Sequence, residues 1–176
     1  RIMLSLDTAV KSLHKRGFRM EGHPAPLKET LAASLLHICE YDGSIPLMDP
    51  MCGSGTILIE GAMMAMKKAP LIHRKKGEFG FEILKFFDNK IWKKIQDEVR
   101  AEQIWPEVKF YGSDIESKHV ELAKDGALRA RVEKYLTLET QDFFKTKAPE
   151  EKGLLITNLP YGMRLEETQL TPEYLK

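Results

Sequence analysis

The stretch Ile45-Pro46-Leu47-Met48-Asp49-Pro50-Met51-Cys52-Gly53-Ser54-Gly55-Thr56 limits what this chain can fold into more than any other. It starts as a short apolar run, ends that run on a carboxylate, and turns through two glycines. It then continues into 56–66, rich in Ile, Leu, Met and Ala. A short apolar run bounded by turn residues reads as a buried strand, and the longer run as a helix. Parallel strands cannot be joined by a hairpin and need a crossover, which a helix supplies. Strand, glycine turn and helix in this order therefore point to an α/β protein with a parallel sheet.

The rest of the chain repeats the alternation. Before the first strand, 27–38 places apolar residues at 27, 31, 35 and 38, with neighbours at 32 and 36, the spacing of a helix with one buried stripe, and Asp42-Gly43 ends it. After the first βα unit the character changes over 67–107. A basic patch (Lys67, Lys68, His73, Arg74, Lys75, Lys76) and an aromatic stretch (Phe79, Phe81, Phe86, Phe87) precede a helix with Ile91, Ile95 and Val99 on one face. This segment reads as a helical insert between strands. Strand 108–114 follows, then Ser117 as N-cap and a helix over 118–131, then strands at 135–140 and 153–158. Residues 1–26, with the basic stretch Leu13-His14-Lys15-Arg16-Gly17-Phe18-Arg19 and then Pro24 and Pro26, read as a lead-in segment or linker from an upstream domain. Residues 27–176 read as the domain proper.

In doubly wound sheets ligands bind beyond the carboxyl ends of the strands. Four features fall there: Asp49 with Gly53 and Gly55; Asp114; Asp142 with Phe143; and Asn158-Leu159-Pro160-Tyr161. Glycines let a ligand approach backbone closely. A dinucleotide turn needs a third glycine where Leu58 stands, and the phosphate-loop Gly-Lys-Ser/Thr is missing, so a ligand with a cationic part facing Asp49 competes with a merely structural turn. A carboxylate such as Asp114 suits ribose hydroxyls, or equally a helix N-terminus. Asp142 suits an adenine amine with Phe143 stacked on the ring, or a surface turn. The fourth feature says most. An asparagine oxygen and a carbonyl in a proline turn can together accept both hydrogens of an exocyclic amine, and the tyrosine ring can stack on the attached base.

Charge separates the halves of the chain: residues 1–100 carry 16 basic and 12 acidic side chains, residues 101–176 carry 11 and 14. The net +1 therefore neither argues for a polyanionic partner nor excludes one. The patches at 67–76 and 14–19 are candidates for phosphate contacts or for solvated loops. Cys39 and Cys52 make no disulfide framework, and the five histidines are scattered without metal-ligand spacing, so no metal is expected. No apolar run spans a bilayer and no signal-peptide pattern opens the chain, which suggests a cytoplasmic protein.

Residues 49–56 resemble the cofactor-binding first motif of S-adenosylmethionine-dependent methyltransferases acting on nucleic-acid amines. More narrowly, 13–19, Ala25-Pro26-Leu27-Lys28-Glu29-Thr30-Leu31-Ala32-Ala33 and the insert with Phe79, Phe81 and Trp92 resemble the bacterial THUMP-containing RNA methylases, whose best-known members methylate the guanine 2-amino group of 23S ribosomal RNA. The resemblance implies a Rossmann-like class I methyltransferase sheet, of which only the first four strands are present, truncated at the C-terminus and preceded in the whole protein by a THUMP-type RNA-binding domain. It implies S-adenosylmethionine held by Asp49, Pro50, Cys52, Gly53, Gly55 and Thr56, with Asp114 at the ribose, Asp142 at the adenine amine, and Ile115 and Phe143 also in contact with the cofactor. Asn158, Pro160 and Tyr161 would form the catalytic motif, and RNA, of the 23S ribosomal kind, would be the partner. One departure stands out: the family usually shows Asn-Pro-Pro-Tyr, and Leu159 brings the motif closer to that of ribosomal RNA adenine dimethylases. An adenine 6-amino target is the alternative. A nicotinamide-dependent oxidoreductase and a non-catalytic RNA-binding module compete less well, since the first leaves 158–161 unexplained.

Overall fold

A computed structural model describes residues 2–9, 11–18, 27–72 and 74–159 of the chain. Four short strands form one parallel sheet: β1 (Leu47–Asp49), β2 (Phe110–Asp114), β3 (Leu136–Thr140) and β4 (Leu154–Leu155). Helices α1 (Glu29–Ile38), α2 (Thr56–Ala65), α3 (Asn89–Ala101) and α4 (Ser117–Ala130) accompany them.

The order across the sheet is β3-β2-β1-β4. Asp49 pairs with Gly112, Asp114 with Thr140, and Leu47 with Leu154. The chain builds outward from β1 through β2 to β3 and then returns to the other side of β1. The crevice of a doubly wound sheet lies at such a reversal, here between the carboxyl ends of β1 and β4. This is the Rossmann-like α/β sheet read from the alternation, with the insert in the expected place. The strands are shorter than their apolar runs. Ile45 and Pro46 precede the ladder because proline has no N–H to give it, although the Pro46 carbonyl accepts from Leu154 N (2.8 Å), and Ile156 N reaches Met48 O (3.0 Å) just past the end of β4.

Packing against α2 fixes the layer above the sheet. Nearly every residue of α2 is buried, because α1 covers it from one side (Ala32, Leu36) and the sheet from the other (Leu47, Phe110). The approach is close enough to require glycine. A Cβ on Gly112 of β2 would stand 2.4 Å from Leu58 Cδ1 and 2.7 Å from Leu138 Cδ2. Gly112→Ala is expected to lower stability by about 1–3 kcal/mol, the usual range for overpacking a core, read as a lower urea midpoint with an unchanged slope.

Two local features differ from the sequence reading. The N-cap of α4 is Glu116 rather than Ser117, and no side chain of the cap position bonds the helix. The Asp114 carboxylate does that work instead, accepting from Glu116 N (3.0 Å). The patch at 67–76 is also not a uniform solvated loop. Lys68 is buried and donates to the carbonyl of Ala130 at the end of α4 (2.5 Å), while Arg74 donates to the carbonyls of Ala9, Lys11 and Ser12 (3.0–3.1 Å).

Arg74 thus ties down the lead-in segment, which also packs on the sheet domain. Phe18 joins the core cluster, and Arg16 pairs with buried Glu60 of α2 (3.2 Å). In the insert, Asp88 Oδ1 caps α3 by accepting from Lys90 and Ile91 N–H groups. Trp92 meets Phe79 and Phe81 edge-on at 5.3 and 4.9 Å. No residue of α3 is fully buried, so this helix rests on its own aromatic cluster. Among the described residues no helix is long and apolar enough to cross a membrane.

Candidate active site

The glycine turn between β1 and α2 is possible only in left-handed backbone: φ is +52° at Gly53 and +72° at Gly55. A Cβ at Gly55 would in addition stand 2.9 Å from Ala123 Cβ of α4. The turn is clamped to the tip of β2 by three bonds. Cys52 N donates to Ser113 O (2.8 Å), Gly53 N to Asp114 Oδ2 (2.9 Å), and Ser113 Oγ to Pro50 O (3.2 Å). Pro50, Cys52 and Thr56 are buried. Burial and the nearby Asp49 and Asp114 carboxylates push the Cys52 thiol up, so it remains a thiol at neutral pH and packs rather than attacks.

Asp49 ends β1 with only 2% of its surface exposed. Its Oδ1 accepts from Thr157 Oγ1 (2.8 Å) and Met51 N (3.2 Å). Burial pushes its pKa up to about 7 against these two bonds, and repulsion from Asp114 adds to the rise. A carboxyl group poised near neutrality in a crevice is a typical mark of a functional site. A ligand cation placed against it would favour the ionised form and be held by it.

Asp114 ends β2. Its Oδ2 holds Gly53 N and its Oδ1 holds Glu116 N and His119 Nδ1 (3.2 Å). A carboxylate has about four acceptor positions, and three are used here, one on the glycine turn and two on the start of α4. Beside it Ile115 is 69% exposed, an apolar side chain left at the sheet's binding edge. Gln141 N donates to Asp114 O (3.0 Å) and so brings the end of β3 alongside. Asp142 then caps the turn 143–145 by accepting from Phe144 N (3.0 Å), with Phe143 half-buried and edge-on to Phe144. Asn158, half-buried, follows Thr157 and therefore lies beside Asp49 across the β1/β4 crevice. Pro160 and Tyr161 lie outside the described residues.

The sheet therefore brings Asp49, Gly53, Gly55, Asp114 and Asn158 to one edge, with Ile115, Asp142 and Phe143 on its β2–β3 side. Two participants escaped the sequence reading. Thr157 bonds Asp49 from the neighbouring strand, 108 residues away; its place just before Asn158 at a strand end was the available signal. His119 reaches back to Asp114 from the first turn of α4, a five-residue spacing that looks unremarkable until the helix start is placed.

Residues 16–175 match the family described as UPF0020, RMKL-like, methyltransferase domain. A ribosomal RNA large subunit methyltransferase K/L of Vibrio cholerae is 43% identical over 169 residues, 93% of this chain and 24% of the relative. The chain thus spans about a quarter of the length of such curated relatives. Among solved structures, the protein SMU.472 complexed with SAH aligns with a TM-score of 0.83 at 33% identity, over 91% of this chain and 41% of the other. A structure from Listeria monocytogenes, named a predicted N6-adenine-specific DNA methylase, gives 0.81 at 32%, over 90% and 41%. With strand order, glycine turn and family match in agreement over nearly its whole length, the chain belongs to the RMKL-like methyltransferase domain family.

Proposed function

We propose that this chain is the cofactor-binding part of an enzyme that methylates an exocyclic base amine in large-subunit ribosomal RNA, using S-adenosylmethionine, in the cytoplasm. The observation that carries the reading is the convergence of Asp49, Asp114 and Asn158 on one sheet edge, with Asp142 beside them. The 43% identity to a ribosomal RNA methyltransferase and the likeness to a protein complexed with SAH support it. The same reading expects a THUMP-type RNA-binding domain beside this one in the longer protein.

The donor set fits the cofactor: a buried carboxylate for an ammonium, a second for vicinal hydroxyls, a third for an aromatic amine, and backbone that approaches closely only because two residues are glycine. Asp49 would hold the amino-acid end, on a turn lined by Pro50, Cys52 and Thr56. Asp114 would accept from one of the ribose hydroxyls through its remaining acceptor position. Asp142 would take the adenine amine between the apolar surfaces of Ile115 and Phe143. S-adenosylmethionine, when bound, supplies an activated methyl group. The work left to the protein is to position and stabilise. The Asn158 side-chain oxygen would accept one amine hydrogen and the Pro160 carbonyl the other, aiming the nitrogen lone pair, while Tyr161 would stack on a base turned out of its helix.

Guanine 2-amino is the favoured target, by resemblance to the THUMP-containing methylases. Leu159 favours a second reading, adenine 6-amino, as does the name of the Listeria neighbour. Calorimetric titration is expected to show binding of S-adenosylmethionine and none of NAD; the reverse would sink the methyltransferase reading. Nucleoside digests of unmodified ribosomal RNA after incubation with the full-length protein then choose the base, as N2-methylguanosine or N6-methyladenosine.

A further inference from the structure

The foot of the molecule, away from the strand tips, carries a second concave feature. A cleft of about 660 Å³ lies between the lead-in segment, the later turns of α2 and α4, and the loop after α2. Its walls include Lys11, Lys15, Arg16, Arg74, Arg129 and Glu78. Met63, also in the wall, stands seven residues into α2, roughly 10 Å along the helix axis from the glycine turn. The cleft is therefore distinct from the edge that holds Asp49 and Asp114.

Its cations divide into two groups. Lys11 pairs with Glu78 (2.5 Å), Arg16 with Glu60 (3.2 Å), and Arg74 is spent on the carbonyls of Ala9, Lys11 and Ser12. These three hold the lead-in segment against the domain and thereby form one wall. Lys15 and Arg129 are exposed, and their side chains make no hydrogen bond or ion pair with any described residue. Glu78, the acid of the wall, is already occupied: Lys11 Nζ meets Oε1 and Lys75 N meets Oε2, and these contacts hold its carboxyl below the usual range. The concavity thus keeps uncompensated positive charge on two separate elements. Arg129 offers a planar fork matched to phosphate oxygens and Lys15 a mobile point charge.

We propose that this cleft holds backbone phosphates of the RNA substrate, gripping the strand at the foot of the domain while the target base enters at the strand tips. A single phosphate would fill little of the volume, whereas a polynucleotide can present successive phosphates to Lys15 and Arg129 together. The proposal rests on the reading of RNA as substrate and gives that substrate a second point of attachment.

The test is RNA binding by the full-length protein, using an unmodified ribosomal RNA fragment and fluorescence anisotropy over a salt series. The double variant Lys15→Glu/Arg129→Glu is expected to bind at least ~10-fold more weakly at about 0.1 M salt, with the salt slope reduced by about 1.4, two single-strand phosphate contacts at about 0.7 each. Lys15→Gln/Arg129→Gln should show a smaller loss in the same direction with unchanged melting, which separates lost contacts from lost folding. Unchanged affinity and slope in the Glu variant, or no salt-dependent RNA binding by the parent, overturns the proposal. Saturation by inorganic phosphate at micromolar concentration, displacing no RNA, also overturns it, by assigning the cleft to a small free anion. Calorimetry with S-adenosylmethionine runs in parallel. If the cofactor fails to bind while the double variant still weakens RNA, the methyltransferase reading falls and the cleft stands.

Discussion

Asn158→Ala is expected to cut methyl transfer by roughly 10²–10³-fold, the loss typical of removing one preorganised polar group from a transition state. Affinity for S-adenosylmethionine should stay within about twofold, since truncating a side chain that contacts only the other substrate leaves cofactor binding in place. The split follows from where the residue lies. Asn158 sits half-buried one position past Thr157, whose hydroxyl bonds the buried Asp49, so the substitution leaves the Thr157–Asp49 contact in place and removes only the amide proposed to accept from the incoming amine. Single-turnover transfer of a labelled methyl group into unmodified ribosomal RNA measures the first quantity and calorimetry the second. Normal turnover would remove Asn158 from the chemistry. A collapse of both would mean that the substitution had disturbed the Thr157–Asp49 contact, and a matching loss in Thr157→Val would identify that cause.

The fold was legible because its elements obey local rules. The apolar spacing over 27–38 located α1, although the stripe at 27, 31, 35 and 38 is not its buried face: Leu31 and Ile38 are exposed, and Ala32 and Leu36 face the core. The glycine turn is left-handed at both glycines, as its composition required. What escaped depends on partners far apart in sequence. Lys68 and Arg74 look like the rest of a solvated basic run until their acceptors, Ala130 and 9–12, are brought beside them. Ser117 is the better N-cap residue by type, yet Asp114 accepts from Glu116 N, on the residue before Ser117, and the helix starts one position earlier. At the site, Asp49 and Asp114 are readable as strand-end acids. The raised pKa of Asp49 is not, because it comes from burial, with Asp114 adding to it against the bond from Thr157, and only the parallel pairing brings these groups together.

That burial leads to the second large effect. Affinity for the cofactor is expected to climb with pH and to level off just above neutrality, because the ammonium proposed to lie against Asp49 would be held by its ionised form, and burial pushes the Asp49 carboxyl up to about 7. Well below that value, each pH unit should weaken binding by about tenfold, the fraction ionised falling in proportion. Asp49→Asn should flatten this profile, and at about pH 8 should bind roughly 10²-fold more weakly than the parent, in line with the cost of breaking a buried charge pair. Stability of the unliganded protein runs the other way. The folded-state value lies above the ordinary 3.8, so between about pH 4 and 7 the folded state binds more protons than the unfolded one. Stability therefore falls as pH rises through that window, by up to ~1.4 kcal/mol per unit, and Asp49→Asn should remove the fall. Urea midpoints and calorimetric affinities taken together at about pH 5 and pH 8 decide the matter. If parent and variant shared the same rise in affinity, the titrating group would be elsewhere. If the affinity profile flattened while the stability profile did not, the raised pKa would not be that of Asp49.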